Sequence, residues 1–496
     1  MRSTAWHSEQ SFPPSPERLE PDKEIHMRTL PPHKTGLRPL TAVLAAAGFL
    51  CASVAGAETL SADVLVVGAG GAGMAAAIEA HEASNGKAKV VILEKLPFVG
   101  GTTLLASTAY NAGGSKLQPN YSAKDYEAKL LKGFPKADDH DRANIRQLAE
   151  LSGPTADWLV AMGADMSRVI NGSQMTPADG SAYGAMIVPV LKKRVDALGI
   201  SVVTNADVQE LVTDAAGRVT GVKATIKTKD LQTIPAKAVI LATGGFASNP
   251  ELVMRFSPQW AGYPSTASVG AEGDGILMAE KLGAKLDNMA LAGPQTVAYD
   301  TGHGAVSLTN VRYNGAILVG KSGKRFTNEL GSTAVIGADI KAQEGGVAFL
   351  IFDRASVENA ALMKKYEAQG YFVKADTLDE LARKLGVDKT NLKATVERWH
   401  GFFDKKKDED FGRTQSMFSR IDKAPYYGQK ISPASQTTYG GVERNADGAA
   451  LKTDGSVIPG LFVAGETADQ YGQGVSLGIV TGRIAARGAL KSIGAK

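Results

Sequence analysis

The run Gly68-Ala69-Gly70-Gly71-Ala72-Gly73 stands directly between two segments of opposite character. Before it, Asp63–Val67 reads as a buried parallel strand; after it, the small-residue stretch Met74–Ala83 reads as a helix. A dinucleotide pyrophosphate requires that order. Gly68 makes the tight turn, Gly70 lets backbone N–H groups approach the phosphates, and Gly73 lets helix pack on strand. The helix N-terminus then presents the positive end of its dipole to the charge. Glycine-rich turns also occur as plain packing, so the sequel matters. A second apolar strand, Lys89–Leu93, ends in Glu94, whose carboxylate is suited to accept hydrogen bonds from ribose hydroxyls.

Two remote segments complete the pattern. Ala238–Gly245 and Gly460–Glu466 each read as a buried strand closed by glycine, and one sheet built from such distant pieces is the layout of flavoproteins with two dinucleotide folds. That favours FAD over NAD, with Glu466 on the flavin side. A last helix, Val475–Leu490, follows Gly472 and Gly474, and its dipole would stabilise negative charge on a reduced flavin.

The remainder of the chain limits what else is possible. Its 496 residues imply two or three packed units, and 44% hydrophobic with 21% charged residues excludes a disordered, collagenous or multispan chain. With 55 basic against 51 acidic residues the formal charge is only +4, too weak a field for nucleic acid or an anionic membrane. The apolar stretch Leu40–Ala57 follows Arg28, His33, Lys34 and Arg38 and ends in Ala55-Gly56-Ala57, the layout of a secretory signal cleaved after Ala57. This predicts a periplasmic protein with no stable membrane anchor; a membrane anchor is the rival reading of the same stretch, and Met27 competes with Met1 as the start. The single cysteine, Cys51, falls inside that stretch, so the expected mature chain has no disulfide, thiolate metal site or CxxCH haem attachment. His81, His140, His303 and His400 lack metal-ligand spacing, so no metal is expected; His303, between two glycines, is kept as a site candidate. Lys405-Lys406-Lys407 followed by Asp408-Glu409-Asp410 reads as a solvated helix end, or as a docking patch for a redox partner.

The chain resembles the flavoprotein subunits of fumarate reductase and succinate dehydrogenase, most closely the soluble periplasmic flavocytochrome c type of fumarate reductase without its haem domain. The glycine turn carries the resemblance together with Glu94-Lys95, Gly100-Gly101-Thr102, Ala242–Phe246, Gly273-Asp274-Gly275, Gly440-Gly441-Val442 and Pro459–Glu466. The run Asn314–Glu329, containing Gly323-Lys324-Arg325-Phe326, is its most specific part.

The resemblance implies an α/β fold: a Rossmann-like FAD-binding domain of the two-dinucleotide type with an inserted α+β capping domain. The expected divisions are an upstream segment and signal at 1–57, FAD-binding parts at 58–289 and 421–496, and the cap at 290–420. It implies FAD contacts at Gly68, Gly70, Ala72, Gly73, Glu94, Lys95, Gly101, Thr102, Thr103, Ser107, Thr108, Val208, Thr243, Gly244, Asp274, Glu466, Ser476 and Leu477. The FAD should be non-covalent, because Thr102–Ser107 contains no attachment histidine. The implied activity is reduction of an activated C=C bond, with a proton from Arg325 relayed through Arg312 and electrons from a separate c-type cytochrome. Both arginines also have a plain reading as structural ion-pair residues. Four family features are missing: Thr309 stands where a relay glutamate belongs, no histidine occurs at Gln295 or at Gln436–Tyr439, and Tyr471–Ser476 holds no arginine to clamp a substrate carboxylate. An uncharged polar set of Tyr439, Tyr471 and Gln473 would suit an enoate or enone better than fumarate. The alternatives are a dehydrogenase that inserts a double bond, as in ketosteroid dehydrogenases, and a non-catalytic flavin electron carrier.

Overall fold

The computed structural model describes residues 60–107, 109–227, 230–302, 304–472 and 474–495. The signal stretch, Thr108, His303 and Gln473 lie outside the described residues. Residues Glu58–Lys496 form one compact unit.

In chain order the elements that matter are β1 (Ala62–Val67), α1 (Gly71–Ala83), β2 (Val90–Leu93), β3 (Ser201–Val203), β4 (Gln232–Leu241), β5 (Ala292–Asp300), α2 (Thr309–Tyr313), β6 (Ile317–Val319), β7 (Ala348–Asp353), α3 (Lys389–Lys405), β8 (Tyr426–Thr438), β9 (Val457–Val463) and α4 (Val475–Ser492). The first sheet has the parallel order β9-β4-β1-β2-β3, in register Val64 with Val90 and Ala238, and Leu461 with Val239. Residues 449–451 extend one edge, and an antiparallel hairpin, Ala206–Thr213 and Val219–Ile226, leans on β4. β1 and β2 are apolar on both faces because helices cover one side and the hairpin with its neighbours covers the other.

The glycines of the turn divide their work as the sequence predicts. Gly68 has φ +104°, and a Cβ there would lie 2.3 Å from the Ala242 carbonyl oxygen. A Cβ on Gly73 would lie 1.8 Å from the Gly68 oxygen, so α1 can start only where that side chain is missing. α4 packs across α1 with equal closeness: a Cβ on Gly482 would meet the Ala72 oxygen at 2.2 Å.

The second sheet is antiparallel, in the order 305–307, β5, β8, β7, β6, with 373–375 also pairing β8. Alternation along β7 sends Leu350 and Phe352 into one core and Phe349 and Ile351 into another, the latter roofed by α3 through Leu392, Val396 and Trp399. Its longest strand, β8, lies past residue 420, so this sheet reaches further along the chain than the expected cap. Lys405, Lys406, Lys407, Glu409 and Asp410 are exposed as a solvated end requires, whereas Asp408 is 1% exposed and paired with Arg325.

Candidate active site

A cavity of about 570 Å³ starts at the carboxyl ends of β1, β2 and β4 and runs to the second sheet. At its first end it is lined by Gly68, Gly70, Ala72, Glu94, Lys95, Gly101, Thr102, Thr103, Ser107, Val208, Thr243, Gly244 and Asp274. Glu94 is locked in place by the N–H groups of Ala69 and Leu96, which donate to its two oxygens at 2.7 and 2.8 Å. Burial pushes its carboxyl up, and these two bonds oppose the shift. Lys95 donates to Glu272 and, at 3.0 Å, to Asp274. The Thr102 hydroxyl accepts from the Ser268 N–H at 3.0 Å and that of Thr103 from the Gly71 N–H at 3.1 Å. No side chain caps the start of α1 at Gly70.

Glu466 lies on the cavity wall at the end of β9, with one weak contact, from the Thr438 N–H at 3.4 Å. Burial pushes its carboxyl up to about 8. Asp469, 1% exposed, rises to about 7 through burial and through the carboxylates of Asp287 and Asp141, against an Asn288 bond of 2.7 Å. Both groups hold protons in the folded chain that the unfolded chain has already lost. Stability of the FAD-free protein therefore falls as pH rises from about 4 to about 8, then levels off. Thermal melting of apoprotein across that range should show the decline, and Glu466→Gln should flatten it; an unchanged slope in that variant would refute the assignment.

At the other end the cavity is lined by Gln295, Thr309, Arg312, Tyr313, Thr333, Gln436, Thr437, Tyr439 and Tyr471. Arg312, on the short helix α2, is 1% exposed; it donates to the Glu329 carbonyl at 2.9 Å and to the Tyr313 hydroxyl at 3.3 Å, and its Nε has no partner. Thr309 donates to the Gln295 carbonyl oxygen, and Gln295 donates to Gln436 at 3.3 Å. Two glutamines thus meet at the positions where the resemblance leads one to look for histidines. The Tyr439 ring covers Gly293 of β5, where a Cβ would lie 2.7 Å from its hydroxyl oxygen. Burial, and the nearby Glu466, push that hydroxyl up to about 12. Tyr471 is fully buried, with φ +55°, and its hydroxyl accepts from Asn144 at 3.2 Å, so the ring alone is left to face the cavity. Its edge packs on Phe134 at 5.6 Å.

Arg325 is not among the lining residues. Its side chain is 5% exposed and pairs with Glu329 through Nε and Nη2, both at 2.9 Å, and with Asp408 at 2.8 Å. The guanidinium sits 4.9 Å from the Trp399 ring and 5.1 Å from the Phe411 ring. Burial favours the neutral form, but Glu329 and Asp408 outweigh it and hold the group above the ordinary arginine range. Its Nη1 is buried without a partner among the described residues. Gly73, Ser476 and Leu477 also stand behind the lining, as packing residues at the starts of α1 and α4. Gln295, Gln436, Thr333 and Lys129 line the cavity without a motif to announce them; only the resemblance drew attention to Gln295 and Gln436, and then for what they lack.

The cradle fits FAD: two glycines admit backbone where no side chain would go, Gly70 and Gly244 leave the wall open, and a helix start with glycine at its N-cap lies beside a fixed carboxylate. Together the fold and this cleft define an FAD-dependent oxidoreductase. The chain matches the family described as FAD binding domain over residues 63–478. It is 34% identical over 455 residues to "Fumarate reductase (cytochrome)" of Shewanella frigidimarina, covering 89% of this chain and 79% of that one. Urocanate reductase of Eggerthella lenta is 36% identical over 431 residues, covering 83% and 70%. The open conformation of a flavocytochrome c3 fumarate reductase superposes with TM-score 0.76 at 30% identity, covering 87% of this chain and 78% of that one. The chain spans 44% of the longer NADH:fumarate oxidoreductase of Klebsiella pneumoniae, at 33% identity over 82% of its own length. The protein belongs to the fumarate reductase flavoprotein family. Among the described residues no helix is long and apolar enough to cross a membrane.

Proposed function

We propose that this protein reduces a C=C bond activated by a neighbouring carbonyl or carboxyl group, in the periplasm, with electrons delivered by a separate c-type cytochrome and with FAD held non-covalently. The carrying observation is one cavity that joins the dinucleotide cradle to a pocket holding a buried arginine and the Tyr439 side chain. Relatives bearing the names fumarate reductase and urocanate reductase support the reaction class.

FAD held along Gly68, Gly70, Glu94 and Thr102 would supply hydride chemistry here. Arg312 draws electron density toward the oxygen of the activating group, which makes the remote alkene carbon electrophilic. Tyr439 gives its O–H proton to the adjacent carbon; its hydroxyl, raised to about 12, stays protonated throughout the physiological range. Glu466, which keeps its own proton to about pH 8, lies close enough to act on that hydroxyl. The Phe134 and Tyr471 rings wall off water on this side. We assign the proton to Tyr439 in place of Arg325 because Tyr439 lines the cavity and Arg325 does not.

Tyr439→Phe should keep FAD and lower substrate-driven reoxidation of reduced enzyme by about 10²–10⁴. Anaerobic stopped-flow reoxidation with the best alkene from a panel of enoates and enones measures it, and a variant as fast as wild type removes Tyr439 as donor. A second reading runs the reaction in the opposite direction as a dehydrogenation, for which the protonated Tyr439 is not the base. The likeness to a 3-ketosteroid-Δ4-(5α)-dehydrogenase, TM-score 0.63 at 25% identity, favours testing it. In that case saturated substrates would bleach the oxidised protein.

A further inference from the structure

Gln470 stands on the cavity wall, 1% exposed, with neither end of its side-chain amide bonded among the described residues. The amides of Gln295, Gln436 and Asn111 on the same wall are paired: Gln295 accepts from Thr309 and donates to Gln436, and the Asn111 oxygen accepts from Lys129 at 3.2 Å. Burying an amide without partners is costly, because both of its groups leave water and gain nothing in return. An amide kept in that condition at a cavity wall points to a ligand that supplies both halves of the exchange, an N–H for Oε1 and an acceptor for Nε2.

The position narrows the ligand. The Gln470 N–H donates to the Tyr439 carbonyl at 3.2 Å, and the Asp469 N–H before it donates to the Val442 carbonyl at 3.1 Å. Tyr471 after it is buried, and its hydroxyl accepts from Asn144. The amide is therefore carried on a fixed stretch between Glu466, just past β9, and Gly474, the N-cap of α4. From the phosphate turn the wall continues to this stretch through Ala72, Gly465 and Gly478; a Cβ on Gly478 would lie 3.6 Å from Gly465 and 3.8 Å from the Ala72 side chain. With the adenosine ribose at Glu94, the flavin end of the dinucleotide is the part that reaches α4 and Gln470.

The carbonyl or carboxyl group of a substrate fits this amide poorly, since its oxygens only accept and leave Oε1 unpaired. The pyrimidine edge of an isoalloxazine fits both ends. It presents the C2 carbonyl, N3–H and the C4 carbonyl in a row, so one amide can meet N3–H and a flanking carbonyl in a single plane. The start of α4 offers backbone N–H groups to the C2 carbonyl, and N3 is the next atom of the ring. We infer that Gln470 recognises this edge of the flavin, with Oε1 accepting from N3–H and Nε2 donating to the carbonyl beside it. This rests on the non-covalent FAD proposed above, and neither on the substrate nor on the direction of the reaction. The carbonyls gain charge when the flavin is reduced, so the Nε2 donor also favours the reduced form.

FAD methylated at N3 lacks the donor and carries a methyl group in its place. Apoprotein titrated by quenching of flavin fluorescence should bind it about tenfold or more weakly than FAD. Gln470→Ala removes both the acceptor and the obstruction, so the two flavins should then bind within about threefold of one another, with FAD itself weakened about tenfold. Gln470→Met keeps the volume without the amide. Holoenzyme of that variant, carrying FAD labelled with nitrogen-15 at N3, should lose the downfield N3–H proton resonance of the wild type and exchange that proton faster. A packing role alone would leave the resonance in place. Equal binding of both flavins by the wild type, a ratio unchanged in Gln470→Ala, or a resonance unchanged in Gln470→Met would each overturn the inference. If Gln470→Ala does not fold, the resonance decides. Flavin that cannot be released from the chain would overturn the non-covalent reading instead, and the resonance, recorded on protein produced with labelled riboflavin, still decides for Gln470.

Discussion

Arg325→Ala is expected to cost about 3–5 kcal/mol of folding stability, the penalty for removing one partner of a buried ion pair. The magnitude follows from what remains: Glu329 and Asp408 stay buried, Asp408 loses its only guanidinium, and Trp399 and Phe411 border a void. Arg325→Lys should recover a fraction only, because an ammonium cannot bridge both carboxylates with the same fork. Denaturant unfolding of the three proteins, with flavin content measured beside it, is the check. A donor role for Arg325 makes the opposite forecast of normal stability with lost turnover, and a variant of that kind would refute the structural role of this arginine.

Gly73→Ala should weaken FAD loading. The new Cβ would sit 1.8 Å from the Gly68 carbonyl oxygen, and the backbone on both sides is fixed, by the pairing of β1 and by the packing of α4 on α1. Relief requires α1 to move away from the turn. Overpacking of about 1–3 kcal/mol at a cradle this tight corresponds to a loss in affinity of roughly fivefold to 150-fold. Gly244→Ala differs: no protein atom lies within 4 Å of its added Cβ, so its cost to the fold is limited to the φ of +84°, and any further loss of FAD comes from the methyl in the cradle wall. Visible absorbance per protein chain distinguishes the two, and a fully yellow Gly73→Ala protein would show that the turn is not as rigid as its contacts require.

The dinucleotide half of the molecule was readable because its constraints are local. A strand, a turn whose glycines have separate steric duties, a helix and a strand-end carboxylate all occur within Ala62–Glu94, and β4 and β9 announce themselves as apolar runs ending in glycine. The substrate half was not, because its meaning lies in pairings across long separations. Arg325 and Arg312 look alike in sequence, and what separates them is Asp408, 83 residues from Arg325, which turns one arginine into a structural tie while the other keeps its charge for the cavity. Asp408 itself looked solvated inside a run of alternating charge blocks. Tyr439 and Tyr471 were equally ambiguous until Asn144 claimed one hydroxyl and left the other at the cavity.

The docking of α4 on α1 has a consequence for the order of events during synthesis. Glu79 in α1 accepts from Arg483 across 404 positions and from Arg487 across 408, at 2.7 and 2.6 Å, and β9 completes the sheet beside β4. A chain emerging from the ribosome therefore carries the phosphate turn long before the segment that braces it. Closing so long a loop is slow, and the gain comes only at contact. The cradle acquires its affinity in one late step, so the cofactor is captured by a nearly finished fold and does not serve as the seed around which folding begins.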